Sequence, residues 1–342
     1  MAIASGVRDD EVIRAGIERW LRAHDPDLVD GTVAPISRPA AGLSSDTAFV
    51  QAVTPSGAVT HFVVRLAPAG EGLFPEYDLR GQADVQNRLG ELGIPVAHPV
   101  RYEEDCSWLG DPFMVMPRVA GRVLARTYLA KGWVADATPN FRRDLVLGFV
   151  HGLASVHRLA PAVDSGGDPV GRAFQQWSGY LDWATGGGAP LEFMHDARDW
   201  CADHAPRLDV PPSMLWGDVQ LTNAVFATDG SVAALLDWEM TGTGPPEMDL
   251  GWFLALHEMT IEQHGSTLPG IPTRAEIIAV YEADLGRAVQ DVRWFEAFAL
   301  IRSGSIMIRM ARILSAQGID DGWLSTRNPT ETALARVLTS EE

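Results

Sequence analysis

Apolar residues along this chain follow two different periods in turn. From Asp9 to His24, Val12, Ile13, Ile17, Trp20 and Leu21 recur at helical spacing and predict an opening helix. Then the period shortens. Thr32 to Pro39, Thr47 to Val53 and Thr60 to Leu66 read as short strands, the second and third joined by the turn Thr54-Pro55-Ser56-Gly57. A helix is predicted from Tyr77 to Leu92, stopped by Gly93 and Pro95. His98 to Tyr102 and Phe113 to Met116 complete a five-stranded antiparallel sheet with one helix.

After Pro117 the pattern is mainly helical. Thr138-Pro139 is a cap followed by proline at the first turn, and opens a helix to Leu159. Asp164 to Asp168 and Gly186-Gly187-Gly188 read as loops. Asn223 to Ala227 and Val232 to Leu236 flank the hairpin turn Asp229-Gly230. Helices return over Glu247 to Met259, Arg274 to Leu285 and Val292 to Leu314. The layout is α+β and bilobal: a sheet-rich first lobe over residues 1–117 and a helix-rich second lobe over 118–342.

Composition narrows the function. The 342 residues are 46% hydrophobic, enough for a sizeable core. No apolar run approaches the ~20 residues of a membrane helix, and Met1 to Asp10 lacks a signal-peptide core. Cys106 and Cys201 match no metal-ligand spacing and form no disulfide framework, so the cytoplasm is the expected location. A formal charge of −18 argues against a nucleic-acid surface, and no membrane partner is expected. Oligomeric state is left open. Lys131 is the only lysine, so any role usually given to lysine must fall to another residue.

The chemistry-bearing stretch is Leu215-Trp216-Gly217-Asp218-Val219-Gln220-Leu221-Thr222-Asn223, followed by Leu235-Leu236-Asp237-Trp238-Glu239. Phosphoryl transfer needs a carboxylate to orient the attacking hydroxyl and accept its proton, and oxygen ligands to hold Mg²⁺ against the phosphates. Asp218, Asn223 five residues later, and Asp237 closing a hairpin supply all three. Other motifs fail. His257-Glu258 with His264 has the wrong spacing for a zinc protease, and no P-loop, dinucleotide fingerprint or serine-hydrolase elbow is present. His151 and His157 read as packing or capping residues.

The segment Trp216 to Trp252 resembles the catalytic core of the aminoglycoside phosphotransferase and choline kinase superfamily, kinase-like in fold. The nearest branch is that of kinase domains fused to acyl-CoA dehydrogenases. Gly270-Ile271-Pro272-Thr273-Arg274-Ala275-Glu276 and Tyr281-Glu282 also fit it. The resemblance implies a phosphotransferase with an alcohol acceptor, ATP as co-substrate and Mg²⁺ as cofactor. Asp218 would be the catalytic base, and Asn223 and Asp237 the Mg²⁺ ligands. Glu239 either assists a second metal or is a surface or salt-bridge residue. Asp249 matches the family's helix aspartate that hydrogen-bonds the catalytic-loop backbone. Trp216 stands where most of the superfamily has histidine.

In the first lobe the resemblance implies that Ala40 to Ser45, with Gly42, Ser44 and Ser45, form a hairpin over the phosphates. Arg65 takes the place of the phosphate-binding lysine, a role its bidentate guanidinium can fill. The usual helix carboxylate has no clear counterpart: Gln82 falls near it, with Glu76 or Asp78 as substitutes. Backbone around Met114 and Met116 would meet adenine, with ATP between the lobes. The acceptor would be held by residues from Trp177 to Trp183 and Glu247 to His257. The nearest branch favours a hydroxylated acyl group or other apolar alcohol over an aminoglycoside. The competing expectation is a non-catalytic nucleotide-binding or ligand-sensing protein on the same scaffold.

Overall fold

The structure, a computed structural model, describes residues 8–39, 44–161, 166–188, 191–319 and 328–339. It divides into two compact units, Met1–Val119 and Ala120–Glu342.

The first unit opens with α1 (Asp10–His24), whose start is fixed by Asp9: its side chain accepts the N–H groups of Glu11 and Val12. Ile13, Ile17, Trp20 and Leu21 are buried, whereas Val12 lies 56% exposed, so the apolar face is one residue narrower than the spacing suggested. The sheet contains β1 (Thr32–Val33), β2 (Asp46–Val53), β3 (Val59–Leu66), β4 (Arg101–Glu103) and β5 (Phe113–Pro117). All pairings are antiparallel and the order is β1-β2-β3-β5-β4. The predicted Thr32–Pro39 strand shrinks to two residues and one bridge, Ser37 to Phe49. Pro35 has no N–H to give a ladder. Gly57, at φ 86°, supplies the left-handed position that the β2–β3 turn requires.

Alternation on the central strands sorts the core onto two faces. Val64, Leu66, Phe113 and Val115 pack with Ile13, Ile17 and Trp20 of α1. Met114 and Met116 face the other way, against Leu79 and Ala83 of α2 (Leu79–Glu91). Each such buried side chain stabilises the unit by about 1.5–3 kcal/mol. The helix starts two residues later than predicted because Asp78 accepts the Gly81 N–H and acts as its cap.

The second unit holds α3 (Pro139–His157), α4 (Pro169–Ala184), α5 (Glu192–Asp203), α6 (Glu247–His264), α7 (Arg274–Leu285), α8 (Val292–Ala316) and α9 (Thr330–Thr339) among its described residues. Thr138 caps α3 by accepting the Phe141 N–H, as the Thr-Pro pair predicted. Helices α4 and α5 went unread, as did the pair β6 (Ser213–Leu215) with β9 (Gly242–Gly244), whose three-residue strands carry no periodicity. The hairpin β7 (Ala224–Phe226) with β8 (Val232–Leu235) is as expected, except that Asn223 closes a 3₁₀ turn and is not in the strand. Helix α6 runs past Met259 to His264, where Gly265 at φ 82° ends it. Gly251 lets α6 approach α8 closely: a Cβ there would sit 2.6 Å from Phe295.

Candidate active site

Strand β6 delivers the chain to Trp216 and Gly217, where the direction reverses. Gly217 has φ 94°, and an added Cβ would lie 2.1 Å from the Met240 carbonyl oxygen. Glycine is required on both counts. The turn is pinned by Asp249 in the first turn of α6. Its Oδ2 accepts the Trp216 N–H at 2.6 Å and its Oδ1 the Gly217 N–H at 3.0 Å. His157 of α3 donates Nε2–H to Asp249 Oδ2 at 3.0 Å, and its Nδ1 then accepts from the Tyr281 hydroxyl of α7 at 2.5 Å. Burial, with Asp249 adding to it, holds the Tyr281 hydroxyl well above its ordinary range, so it stays a donor. The sequence placed Asp249 in this role by resemblance. His157 is more than the packing or capping residue expected of it.

Beyond this pinned turn stands Asp218. Its Oδ2 accepts from Asn223 Nδ2 at 2.7 Å, and its Oδ1 from Gln220 Nε2 and from Trp252 Nε1 at 3.1 Å. Asn223 Nδ2 also reaches the Asp218 carbonyl at 3.0 Å. Asp218 keeps some accessible surface, but the shell around it strips most of the water from the carboxylate. Desolvation raises its pKa and the like charge of Asp237 raises it further; the Gln220 and Asn223 bonds and Arg126 pull it back. The result is a carboxylate with a stronger appetite for a proton than an exposed aspartate.

Asp237 follows β8 with φ 63°, a conformation uncommon for a residue with a side chain. Its neighbours hold it there. Leu236 N–H donates to Asn223 O at 2.8 Å, and Leu236 O accepts Trp216 Nε1–H at 2.8 Å. Trp216 and Trp238 stack at 5.5 Å, both fully buried. Tryptophan at 216 therefore ties the turn before Asp218 to the Asp237 segment. Glu239, partly buried, lies two residues further on.

The donor chemistry fits Mg²⁺. Because Asn223 spends its Nδ2 on Asp218, its Oδ1 points the other way, and the Asp237 carboxylate lies close enough to act on Asp218. Both are hard oxygen ligands. Mg²⁺ takes few protein ligands and draws the rest from phosphates and water.

Arg302 of α8 went unread and is the other residue at the turn. Its guanidinium lies 4.6 Å from the Trp252 ring and 4.8 Å from the Trp177 ring, and Nη2 donates to Gly217 O at 3.4 Å. Burial lowers its pKa to about 10, with Asp249 and Asp218 opposing the fall, so it remains charged at neutral pH.

In the first unit, Arg65 stands on β3 opposite Met114 of β5, and its Nε donates to Ser45 Oγ at 3.2 Å. Ser45 Oγ also bonds Thr47 Oγ1 at 3.0 Å. Ser44 precedes it in a bend, and Gly42 lies outside the described residues. The Met114 and Met116 side chains are buried against α2. Of the carboxylate substitutes, Asp78 is engaged as the α2 cap and Glu76 is exposed, while Gln82 is buried with its Oε1 unpartnered.

A five-stranded antiparallel unit with helices α1 and α2, then a mainly helical unit whose loop carries an aspartate, a spaced asparagine and a hairpin-terminal aspartate, defines the bilobal protein-kinase-like fold. Within that fold the chain belongs to the phosphotransferase enzyme family, whose pattern matches residues 35–293. It is 26% identical over 339 residues to acyl-CoA dehydrogenase family member 11 of Rattus norvegicus, covering 94% of this chain and 41% of that protein. With the Mus musculus protein of that name it shares 27% over 279 residues, 78% of this chain and 34% of the other. The chain thus spans well under half the length of these curated relatives. Among solved structures, a Ralstonia eutropha protein assigned to the aminoglycoside phosphotransferases superposes with a TM-score of 0.71 at 22% identity, covering 96% of this chain and 98% of its own. Choline kinase LicA of Streptococcus pneumoniae gives 0.58 at 14%, covering 95% and 98%. These likenesses carry the fold; the family carries phosphotransfer. No described helix is long and apolar enough to cross a membrane.

Proposed function

We propose that this chain transfers the γ-phosphoryl group of ATP to a hydroxyl of a small molecule, with Asp218 as the general base. The observation behind this reading is the Asp218 carboxylate itself, aimed by Gln220, Asn223 and Trp252 and made more basic by burial and by Asp237. Asp218 takes the proton of the attacking hydroxyl as its oxygen bonds to the γ-phosphorus; the bond to the β,γ-bridging oxygen breaks and ADP leaves. Asn223 and Asp237 hold Mg²⁺, with Glu239 as a further ligand. When bound, the ion neutralises charge on the phosphates. Residues 1–117 serve the nucleotide: Arg65 with Gly42, Ser44 and Ser45 at the phosphates, and the backbone of Met114 and Met116 at the adenine. Residues 118–342 supply the base, the metal ligands and the acceptor site.

Asp218→Asn tests the assignment. The amide preserves size, turns one NH₂ toward a donor that the carboxylate accepted, and cannot accept the proton, so kcat should fall ~10²–10⁴-fold with Mg²⁺-ATP affinity retained. Wild-type turnover in this variant would place the base elsewhere. The second reading, a non-catalytic nucleotide sensor, draws on Arg65 and on the amide of Gln82 where a carboxylate is usual. It requires that wild type and Asp218→Asn bind Mg²⁺-ATP alike and that neither transfers phosphate.

A further inference from the structure

Arg302 carries a charge that the chemistry above does not use. It is 5% exposed, its Nε is buried without a hydrogen-bond partner, and among the described residues no carboxylate forms an ion pair with it. Aromatic rings stand where a counter-ion would: Trp252 at 4.6 Å, Trp177 at 4.8 Å and Phe298 at 5.7 Å from the guanidinium carbon. Burying an ion that is not paired is unfavourable, and an apolar side chain of similar length would fill the same space without that penalty. A charge kept there calls for a use.

The neighbours show where it acts. Trp252 turns its ring to Arg302 and its Nε1–H to the base, donating to Asp218 Oδ1 at 3.1 Å. A cation over an indole is drawn to the negative face of the ring, and the polarised ring makes its N–H a stronger donor. The direct bond from Arg302 to the loop, Nη2–H to Gly217 O, is 3.4 Å long, beyond the roughly 2.7–3.2 Å of a firm N–H···O bond. The route through Trp252 is therefore the stronger one.

That route matters because of how the oxygens of Asp218 are shared out. Each carboxylate oxygen has two lone pairs. Oδ1 has both taken, by Gln220 and Trp252, whereas Oδ2 has one taken, by Asn223. The open lone pair belongs to Oδ2, and its direction is fixed only while Oδ1 is held. We propose that Arg302 is a positioning residue for phosphoryl transfer that acts through Trp252, its charge strengthening the indole bond to Asp218 Oδ1 so that Oδ2 stays turned to the proton of the attacking hydroxyl. The inference rests on the phosphotransfer reading and names the pair that aims its base. The effect is one of direction. A stronger bond to Oδ1 makes the carboxylate a weaker base, so if basicity governed turnover, removing the charge would speed it.

Hydrolysis of Mg²⁺-ATP, with water as the acceptor, is the assay. Arg302→Met removes the charge, and Arg302→Gln removes it while keeping an N–H donor for Gly217 O. Arg302→Met should unfold at or above the wild-type midpoint, since an apolar chain replaces an unpaired ion. Both variants should lower kcat by about threefold to thirtyfold, the range of one cation–π contact, with KM for ATP unchanged. In a Trp252→Phe background the same substitutions should change kcat little, because the route is gone. In protein carrying ¹⁵N at the tryptophan indoles, the Trp252 resonance is assigned by its loss in Trp252→Phe. It should move in Arg302→Gln toward its position in Asp218→Asn. The proposal is overturned by wild-type or faster turnover in the arginine variants, by a loss in Arg302→Met that Arg302→Gln does not share, or by equal losses with and without Trp252. If the wild-type protein hydrolyses no ATP, the phosphotransfer reading falls and the resonance decides alone: a moved signal keeps the Arg302–Trp252–Asp218 coupling, and an unmoved one removes it. If Arg302→Met does not fold, Arg302→Gln carries the same test.

Discussion

The backbone N–H of Trp216 donates to Asp249 Oδ2 at 2.6 Å across 33 positions of sequence, and the Gly217 N–H takes the other oxygen. One carboxylate thus accepts two consecutive amides and sets the direction in which the chain enters Asp218. Asp249→Asn presents an NH₂ to one of those N–H groups. Hydrogen bonds to a charged acceptor are worth about 1.5–3 kcal/mol, so denaturant unfolding should show a loss of that order. Turnover should fall more than nucleotide affinity, because Asp218 is misplaced while the ATP contacts remain. A variant with wild-type unfolding midpoint and wild-type kcat would mean that the loop is positioned by other groups.

Gly217→Ala separates strain from collision. The left-handed conformation costs a residue with a side chain about 1–2 kcal/mol. The overlap with Met240 adds about 1–3 kcal/mol. Gly265, at φ 82° with open space around it, supplies the control, since alanine there meets only the first cost. Gly217→Ala should therefore melt well below Gly265→Ala, and equal melting temperatures would show that Met240 yields.

Removing a proposed metal ligand should act on binding. Asp237→Ala is expected to weaken the Mg²⁺-dependent part of ATP binding by roughly 10–100-fold, the loss seen even when a group behind a metal ligand is removed. Isothermal titration with ATP, with Mg²⁺ and with EDTA, measures it. Identical curves for wild type and variant in Mg²⁺ would remove Asp237 from the metal site.

Stability should depend on pH through His257. Its folded pKa, about 4, lies below the ordinary histidine value of 6.5. Between those values the unfolded chain binds a proton that the folded protein does not, so stability falls as pH drops from about 6.5 to about 4. The contribution lost across that window is on the order of 3 kcal/mol. His257→Phe should flatten the decline by about that amount in urea unfolding between pH 7 and pH 4, and parallel pH profiles would show that His257 protonates freely in the folded state.

Local features were legible from sequence wherever the deciding interactions are local. The Thr138 cap, the Gly57 turn and the Asp229-Gly230 hairpin depend on residues within a few positions of one another, and each stands where the spacing put it. Where a pattern lacked periodicity it misled. The strand from Thr32 was read too long through Pro35, and the stretch Trp177 to Trp183 was read without the helix α4 that carries it.

The sequence by itself determined that a sheet-rich stretch precedes a mainly helical one, and it singled out the three residues proposed for proton and metal. Tertiary structure alone decided what aims them. His157 meets Asp249 across 92 positions and Tyr281 across 124, Arg302 reaches Gly217 across 85, and Tyr128 finds His257 across 129. The period of a helix tells which face is buried but not what it will be buried against. That partner is chosen when α3, α6, α7 and α8 pack in one register. Only then do a buried imidazole and a guanidinium acquire, or lack, the groups that define what they do.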